Sequence, residues 1–432
     1  MTNNFNAEKQ IIDSAKGAKT MKYGLIGEHL GHSFSKVIHE KIGDYVYEIK
    51  EIEPENVAKF IKERDFLAIN VTIPYKEVVI PMLDYVDDNA KKIGAVNTVV
   101  NRGGKLCGYN TDYSGMRALV MRVGAEIDGK KVLIIGTGGT SKTARAVVGD
   151  MGAREIIFVS NIEVPGAYSY DEVYKNHTDV DVIFNTSPVG MYPKNDGCPI
   201  DLTKFPNAKA LIDVVYNPIK TTLVEKAKEL GIIAEGGLYM LGAQAVYAYE
   251  HFMDKTVDKA ICDQIYNEII SEKDNIVLIG MPASGKTTIG KILASKTGKK
   301  FIDTDDEIVK CEGTDIPTIF ATKGEAYFRD LETKIIEDVS KLNGFVISTG
   351  GGAILRKENV RRLKQNGTVY FLDRSLELLV PTKDRPLSSD RASIEKRYNE
   401  RYDIYLASAD VRVNGDGTPT EVAELILKDR IK

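Results

Sequence analysis

The sequence predicts an α/β protein of more than one domain, on three observations. At 432 residues it is too long for one core of about 150 residues, so two or three domains are expected. Short apolar runs alternate with stretches of helical period, the grammar of parallel strands joined by helices. Two glycine-rich segments each follow such a run and open a helical pattern, the place where α/β proteins hold phosphate groups.

In chain order, residues 1–20 are polar without apolar period and are expected to form a loose tail. Strand-like runs follow at Lys22 to Ile26, Ala68 to Ile73, Lys131 to Ile135, Glu155 to Val159, Val180 to Phe184 and Ala210 to Val214. A hairpin, Ala95 to Val100 and Lys105 to Tyr109, should turn through Gly103-Gly104. The last helical stretch of this part is Val257 to Ser271, and at Asn275 a new strand, IVLIG, opens a second series with Gly344 to Ile347, Gly367 to Leu372 and Val411 to Val413. The boundary is expected near Glu272 to Asp274; with no Pro-, Gly- or Ser-rich linker, the halves should join closely.

Composition narrows the function classes. Lys and Arg number 58 against 62 Asp and Glu, a net charge of −4, and 43% of residues are hydrophobic. That balance argues for an ordinary globular protein, against disorder and against a nucleic-acid binder. No apolar run approaches the roughly 20 residues that cross a bilayer, and MTNNFNAEKQ lacks the marks of a signal peptide, so a cytoplasmic protein without a membrane partner is expected. Cys107, Cys198, Cys262 and Cys311 form no CxxC pair, which indicates neither a disulfide framework nor a structural zinc site.

The strongest chemical signal is Gly280-Met-Pro-Ala283-Ser284-Gly285-Lys286-Thr287-Thr288 after a strand and before a helix. In this GxxxxGK[ST] pattern backbone N–H groups cradle phosphates, the lysine neutralises them, and the Thr287 hydroxyl would ligate Mg²⁺. Asp303 and Asp305 end a short strand two residues apart, so both should face the phosphate loop, although an Asp-rich helix cap is the plain alternative. Arg329 in Phe-Arg-Asp-Leu-Glu, the triplet Gly350-Gly351-Gly352, Arg385-Pro-Leu and Arg401 add guanidinium forks and close backbone approach suited to a carboxylated acceptor. Singly, each arginine could be a solvated surface residue.

Together these residues resemble the shikimate kinase family over Asn275 to Lys432. The resemblance implies a P-loop, nucleoside-monophosphate-kinase-like α/β domain using ATP and Mg²⁺. Asp305, Arg329, Gly351 and Arg401 would hold shikimate, and Ala283 to Thr288 the nucleotide. Asp303 and Thr287 would serve the metal, and Lys286, Asp305 and Arg385 the transfer. Pro381-Thr382 replaces the family's Arg-Thr before the lid, and Arg401-Tyr-Asp-Ile-Tyr405 its Arg-x-Pro-Leu-Tyr, implying altered nucleotide clamping with the chemistry retained.

In the front half, Gly136-Thr137-Gly138-Gly139-Thr140-Ser-Lys142 is a loose dinucleotide fingerprint, by itself compatible with an ordinary strand-to-helix turn. Ser33 and Ser35 could grip a small carboxylate or cap a helix from Lys36; Asp112 could cap a helix from Tyr113. With Asn70-Val-Thr72-Ile-Pro74-Tyr-Lys76, Gly94-Ala-Val-Asn97, Asp213-Val-Val-Tyr216 and Gly237 through Gln244, the set resembles shikimate dehydrogenase over Met21 to Ser271. A two-lobed dehydrogenase with a Rossmann-like dinucleotide subdomain is implied: a substrate lobe of 21–115 plus 238–272 and a dinucleotide lobe of 116–237. Lys76 and Asp112 would form the catalytic pair, a proton source suited to the alkoxide left by hydride transfer. Ser33, Ser35, Thr72, Asn97, Tyr216 and Gln244 would hold the substrate; Gly136 to Thr140, Gly237 and Asp88 would contact NADP.

Where NADP-dependent members show Asn-Arg-Thr, this chain reads Ser160-Asn161-Ile-Glu163, and few residues separate it from the next strand. The crossover helix should be trimmed, NAD is possible, and Lys142 is a candidate for the missing charge. The expectation is therefore a bifunctional enzyme converting 3-dehydroshikimate to shikimate and shikimate to shikimate 3-phosphate. The rival is a kinase whose front half only binds shikimate or quinate as a sensor.

Overall fold

The computed structural model describes residues 21–30, 34–380 and 390–430, so the expected tail lies outside the described residues. The described residues form two compact units, one within 21–186, 207–210 and 239–266, the other within 187–206, 211–238 and 267–430.

The first unit opens with β1 (Tyr23–Gly27), β2 (Glu48–Glu51), β3 (Ala68–Val71), β4 (Tyr85–Val86), β5 (Thr98–Arg102) and β6 (Lys105–Tyr109), in the order β2–β1–β3–β5–β6–β4. β1 runs parallel to β2 and β3, whereas β3–β5 and β5–β6 are antiparallel, so this sheet is mixed rather than parallel. The expected hairpin forms: Gly103 and Gly104 have φ of +61° and +91°, the left-handed pair a two-residue turn needs. Glu-Ile-Lys-Glu of β2 is exposed at every position, and so carried no apolar signal in the sequence. Ile26, Ile69, Val99 and Leu106 lie wholly buried in the core on one face of the sheet.

β7 (Lys131–Ile135) then runs parallel between β8 (Glu155–Val159) and β9 (Val182–Asn185), every residue of β7 buried. Its helix, Gly139–Asp150, follows directly on the glycine-rich turn. Between β8 and β9 only a seven-residue helix forms, Tyr170–Asn176, started by a reciprocal Ser169–Glu172 capping box. The crossover is indeed short.

The second unit takes most of β10 (Ala210–Asp213), β11 (Ile233–Glu235), and the fully parallel sheet of β12 (Asn275–Ile279), β13 (Lys300–Asp303), β14 (Phe345–Ser348), β15 (Gly367–Asp373) and β16 (Val411–Asn414), ordered β13–β14–β12–β15–β16. β12 lies at its centre with all five residues buried, so the loop at its carboxyl end stands over the middle of the sheet. Helix Ala260–Lys273 leads into β12 through Asp274 alone, whose carboxylate accepts from Arg430 at 2.7 Å and Thr368 at 3.0 Å. No linker intervenes. No helix among the described residues is long and apolar enough to cross a membrane.

Candidate active sites

In the first unit, Pro74 stops β3 and the chain turns so that Lys76 is fixed through its carbonyl, which accepts from Val96 N–H at 2.8 Å. Helix Thr111–Val123 is capped by Asn110, whose side chain accepts from Tyr113 N–H at 3.2 Å. Asp112 is thereby not the cap. Its Oδ2 lies 2.6 Å from Lys76 Nζ, the two side chains 20% and 29% exposed. An ammonium and a carboxylate so placed, partly withdrawn from water but open to a ligand, can hold and deliver a proton.

Asn97 is buried beside them. Its Oδ1 accepts from Thr111 N–H at 2.7 Å, and its carbonyl accepts from Asn70 Nδ2 at 3.2 Å. Asn70 in turn accepts from the Tyr47 hydroxyl at 2.7 Å. Sequence reasoning missed Asn70 and Tyr47 as supports, although Asn70 precedes Thr72 by two and period-two alternation places both on one side of an extended chain. Ser35 is the first residue of helix Ser35–Ile42, not its cap, and Ser33 lies outside the described residues. Gly115 lets the helix of Asp112 close on that of Gln244: a Cβ there would stand 2.8 Å from Met240 O and 2.9 Å from Gln244 Cβ. Thr72, Lys76, Asn97, Asp112 and Gln244 thus all belong to the first unit.

At the dinucleotide turn Gly136 has φ +98°, and Gly138 caps helix Gly139–Asp150 without a side chain. A Cβ at Gly138 or Gly139 would meet nothing within 4 Å, so the helix start, with Thr137 and Thr140 on either side of these glycines, faces open space. That cradle fits a dinucleotide's pyrophosphate. The Lys142 ammonium, in the first turn of that helix, pairs with Glu77 at 2.9 Å, both side chains more than half exposed. Beyond β8, Ser160 Oγ accepts from Ile162 N–H at 3.2 Å, forming a tight turn. Asp88 is 97% exposed and pairs with Lys91 at 3.2 Å, while its neighbour Asp87 caps the helix.

Tyr216 and Gly237 fall in the second unit. Asp213 holds the loop between them, accepting from Val215 N–H at 3.0 Å and the Thr221 hydroxyl at 2.6 Å. Only glycine suits position 237, since a Cβ would clash with Val214 O.

The phosphate loop follows β12. Ala283 and Gly285 take φ of +66° and +91°, and Lys286 opens helix Lys286–Thr297 with its ammonium donating to Gly280 O at 2.8 Å and Met281 O at 2.9 Å. Ser284 Oγ is buried without a hydrogen-bond partner among the described residues. Ala283, Lys286, Thr287, Thr288, Asp303 and Asp305 line a cleft of about 210 Å³. This loop fits a phosphate: it offers a cation now resting on its own carbonyls and a buried hydroxyl lacking an acceptor or donor.

Thr287 Oγ1 donates to Asp303 Oδ2 at 2.8 Å, while Asp303 Oδ1 accepts from Asp305 N–H at 3.0 Å. Asp303 therefore does both things weighed from sequence, facing the loop and capping helix Thr304–Glu312. The alternation argument fails for Asp305, which is already helical, yet it borders the same cleft. A hydroxyl and a carboxylate from adjacent elements fit Mg²⁺, which keeps waters and phosphate oxygens as its other ligands.

Around the glycine triplet, Arg401 Nη1 and the Tyr405 hydroxyl both donate to Gly351 O, at 3.0 and 2.5 Å. Arg329 lies against Gly352, where any Cβ would strike its guanidinium, and donates to Glu332 at 2.8 Å. Burial pushes the Glu332 carboxyl above its ordinary value. Glu332 and Tyr405 were missed as supports; the signals were spacings of three and four from the arginines, one helical turn. Arg385 lies outside the described residues.

Comparison with known proteins matches two stretches of the chain to families. Residues 25–99 match the family model for the shikimate dehydrogenase substrate binding domain, and residues 282–430 that for shikimate kinase. A Clostridium perfringens (strain SM101) shikimate dehydrogenase (NADP(+)) is 35% identical over 265 residues, which cover 57% of this chain and 97% of that protein. The chain belongs to the shikimate dehydrogenase family. Its Clostridium beijerinckii relative of the same name is 36% identical, covering 57% of this chain and 96% of that protein. The crystal structure of a chorismate mutase/shikimate 5-dehydrogenase fusion protein from Clostridium acetobutylicum superposes with TM-score 0.55 at 34% identity, over 58% of this chain and 97% of that one. These relatives account for the front part; the shikimate kinase domain accounts for the back. The fusion of the two families, the α/β fold class and the two enzyme activities expected from sequence all stand.

Proposed function

We propose that the chain performs two consecutive steps, NADPH-dependent reduction of 3-dehydroshikimate to shikimate and ATP-dependent phosphorylation of shikimate to shikimate 3-phosphate. The reading takes residues 21–272 as the dehydrogenase and 275–432 as the kinase, acting in the cytoplasm. The Lys76–Asp112 pair at 2.6 Å carries it, because a sensor that only bound shikimate would have no use for a proton donor with its own counter-ion.

Gly136–Thr140 would hold a nicotinamide dinucleotide, which would supply the hydride. Lys76 gives its proton to the oxygen of the former ketone, and Asp112 holds the ammonium in place before transfer. Asn97, Thr72, Ser35 and Gln244 bind the ring hydroxyls and carboxylate. In the back part Arg329 and Arg401 hold the shikimate carboxylate, and Asp305 orients the accepting hydroxyl and takes its proton. Lys286 would turn from Gly280 O and Met281 O to the phosphates, Thr287 and Asp303 would hold Mg²⁺, which would neutralise the developing charge, and Arg385 would serve the transferring phosphoryl group.

The test supplies shikimate to the full chain with NADP⁺ or NAD⁺ and follows cofactor reduction, with phosphorylation assayed alongside. Lys76→Ala should lower dehydrogenase kcat by about 10²- to 10⁴-fold and leave phosphorylation unchanged. Phosphorylation with no cofactor reduction would establish the sensor instead.

A further inference from the structure

Within the second unit, segments 192–196 and 219–222, counted with the dehydrogenase by sequence, are pinned to residues 361–366 of the kinase by buried polar groups. Asn195 Nδ2 donates to Gln365 Oε1 at 2.5 Å, and Gln365 Nε2 donates to Thr222 Oγ1 at 3.2 Å. The Gln365 carbonyl accepts from Lys220 N–H at 2.8 Å. Asn366 Oδ1 accepts from Ile219 N–H at 2.9 Å, and its Nδ2 donates to the Tyr192 hydroxyl at 3.1 Å. Asp196 closes the seam's edge, receiving Arg361 at 2.6 Å and Arg362 at 3.3 Å. Gln365, Asn366 and Asn195 are 0%, 1% and 6% exposed. Amides at that depth must keep their partners, so separating the two segments leaves several of them unsatisfied at once. The seam also reaches the nucleotide strand: the Asn366 carbonyl accepts from Asn275 N–H at 2.8 Å, and Asn275 begins β12, whose other end carries the phosphate loop.

We propose that this seam joins residues 211–237 and the kinase core into one cooperative unit, so that ATP at the phosphate loop stabilises the dehydrogenase segment bearing Tyr216 and Gly237. The ligand half of the proposal rests on the kinase reading above. A ligand that binds only the folded state suppresses every opening that abolishes its site, and segments opening together share that protection.

Hydrogen exchange of the full chain, with and without ATP and Mg²⁺, tests it. The slowest amides of helix Thr222–Glu229 should exchange at the same rate as those of helix Lys286–Thr297. Both sets should slow by the same factor, about 100-fold when ATP stands at 100 times its Kd. Slowing of Lys286–Thr297 with Thr222–Glu229 unchanged overturns the proposal. If ATP slows neither, the kinase reading fails, and Asn195→Ala decides the seam. That substitution should speed exchange throughout helices Lys357–Gln365 and Lys286–Thr297, and an effect confined to the neighbourhood of residue 195 overturns the proposal.

Discussion

The two glycine-rich turns, Gly136–Thr140 and Gly280–Thr287, solve the same problem with different means. Each follows a buried parallel strand and opens a helix, so each presents backbone N–H groups and a helix N-terminus to an anion. The first adds no charge: its helix cap is Gly138 and the nearby Lys142 pairs with Glu77. The second carries its own cation and metal ligands, Lys286 on the loop carbonyls and Thr287 on Asp303. A pyrophosphate bridge that is only held tolerates neutral donors, whereas a phosphoryl group in transfer needs charge aimed at it. The difference teaches that a glycine pattern marks a place for phosphate, and that the side chains around it decide between binding and chemistry.

Four substitutions break or sharpen that contrast. Lys286→Ala removes the charge that sets the second turn apart, and phosphorylation kcat should fall by at least about 10²- to 10³-fold while shikimate oxidation proceeds; steady-state assays of both reactions on one preparation check it. Asp303→Asn should weaken Mg²⁺ support, with the half-saturating metal concentration rising about 10- to 100-fold in a magnesium titration of kinase rate. Gly138→Ala addresses the first turn. Its φ of −79° suits alanine and the added Cβ meets no protein atom, so the melting temperature should hold. The methyl would stand where the pyrophosphate approaches, and the dinucleotide Kd, measured by titration, should rise about ten-fold. Smallest is Lys142→Ala: an exposed ion pair contributes at most about 1 kcal/mol, so the ratio of NADP⁺ to NAD⁺ efficiency should move less than about five-fold.

Much of the fold was legible. β7, β8 and β12 are continuous apolar runs, and the structure places them at or within a residue of their expected ends. β2 was illegible because an exposed edge strand reading Glu-Ile-Lys-Glu buries nothing. In the sites, residues whose role follows from local backbone geometry were readable, such as Gly103, Gly136 and Gly285, each of positive φ. Residues whose role depends on a distant partner were not. Asp305 was assigned from strand alternation and proved helical, the Lys142–Glu77 pair joins residues 65 apart, and Tyr405 converges with Arg401 on a carbonyl fifty residues away in sequence.

By itself the sequence determined the alternation of strands and helices, the two phosphate-holding turns and the order of the two families along the chain. All three arise from spacing over a few residues, where sterics and hydrogen bonding are local. Tertiary structure alone decided that Asn110 rather than Asp112 caps its helix's first turn and leaves the carboxylate to Lys76. It alone decided, too, that residues 211–238 fall in one compact unit with the kinase. Such outcomes depend on which buried polar group finds its partner across the chain, and a partner's position exists only once the chain has folded.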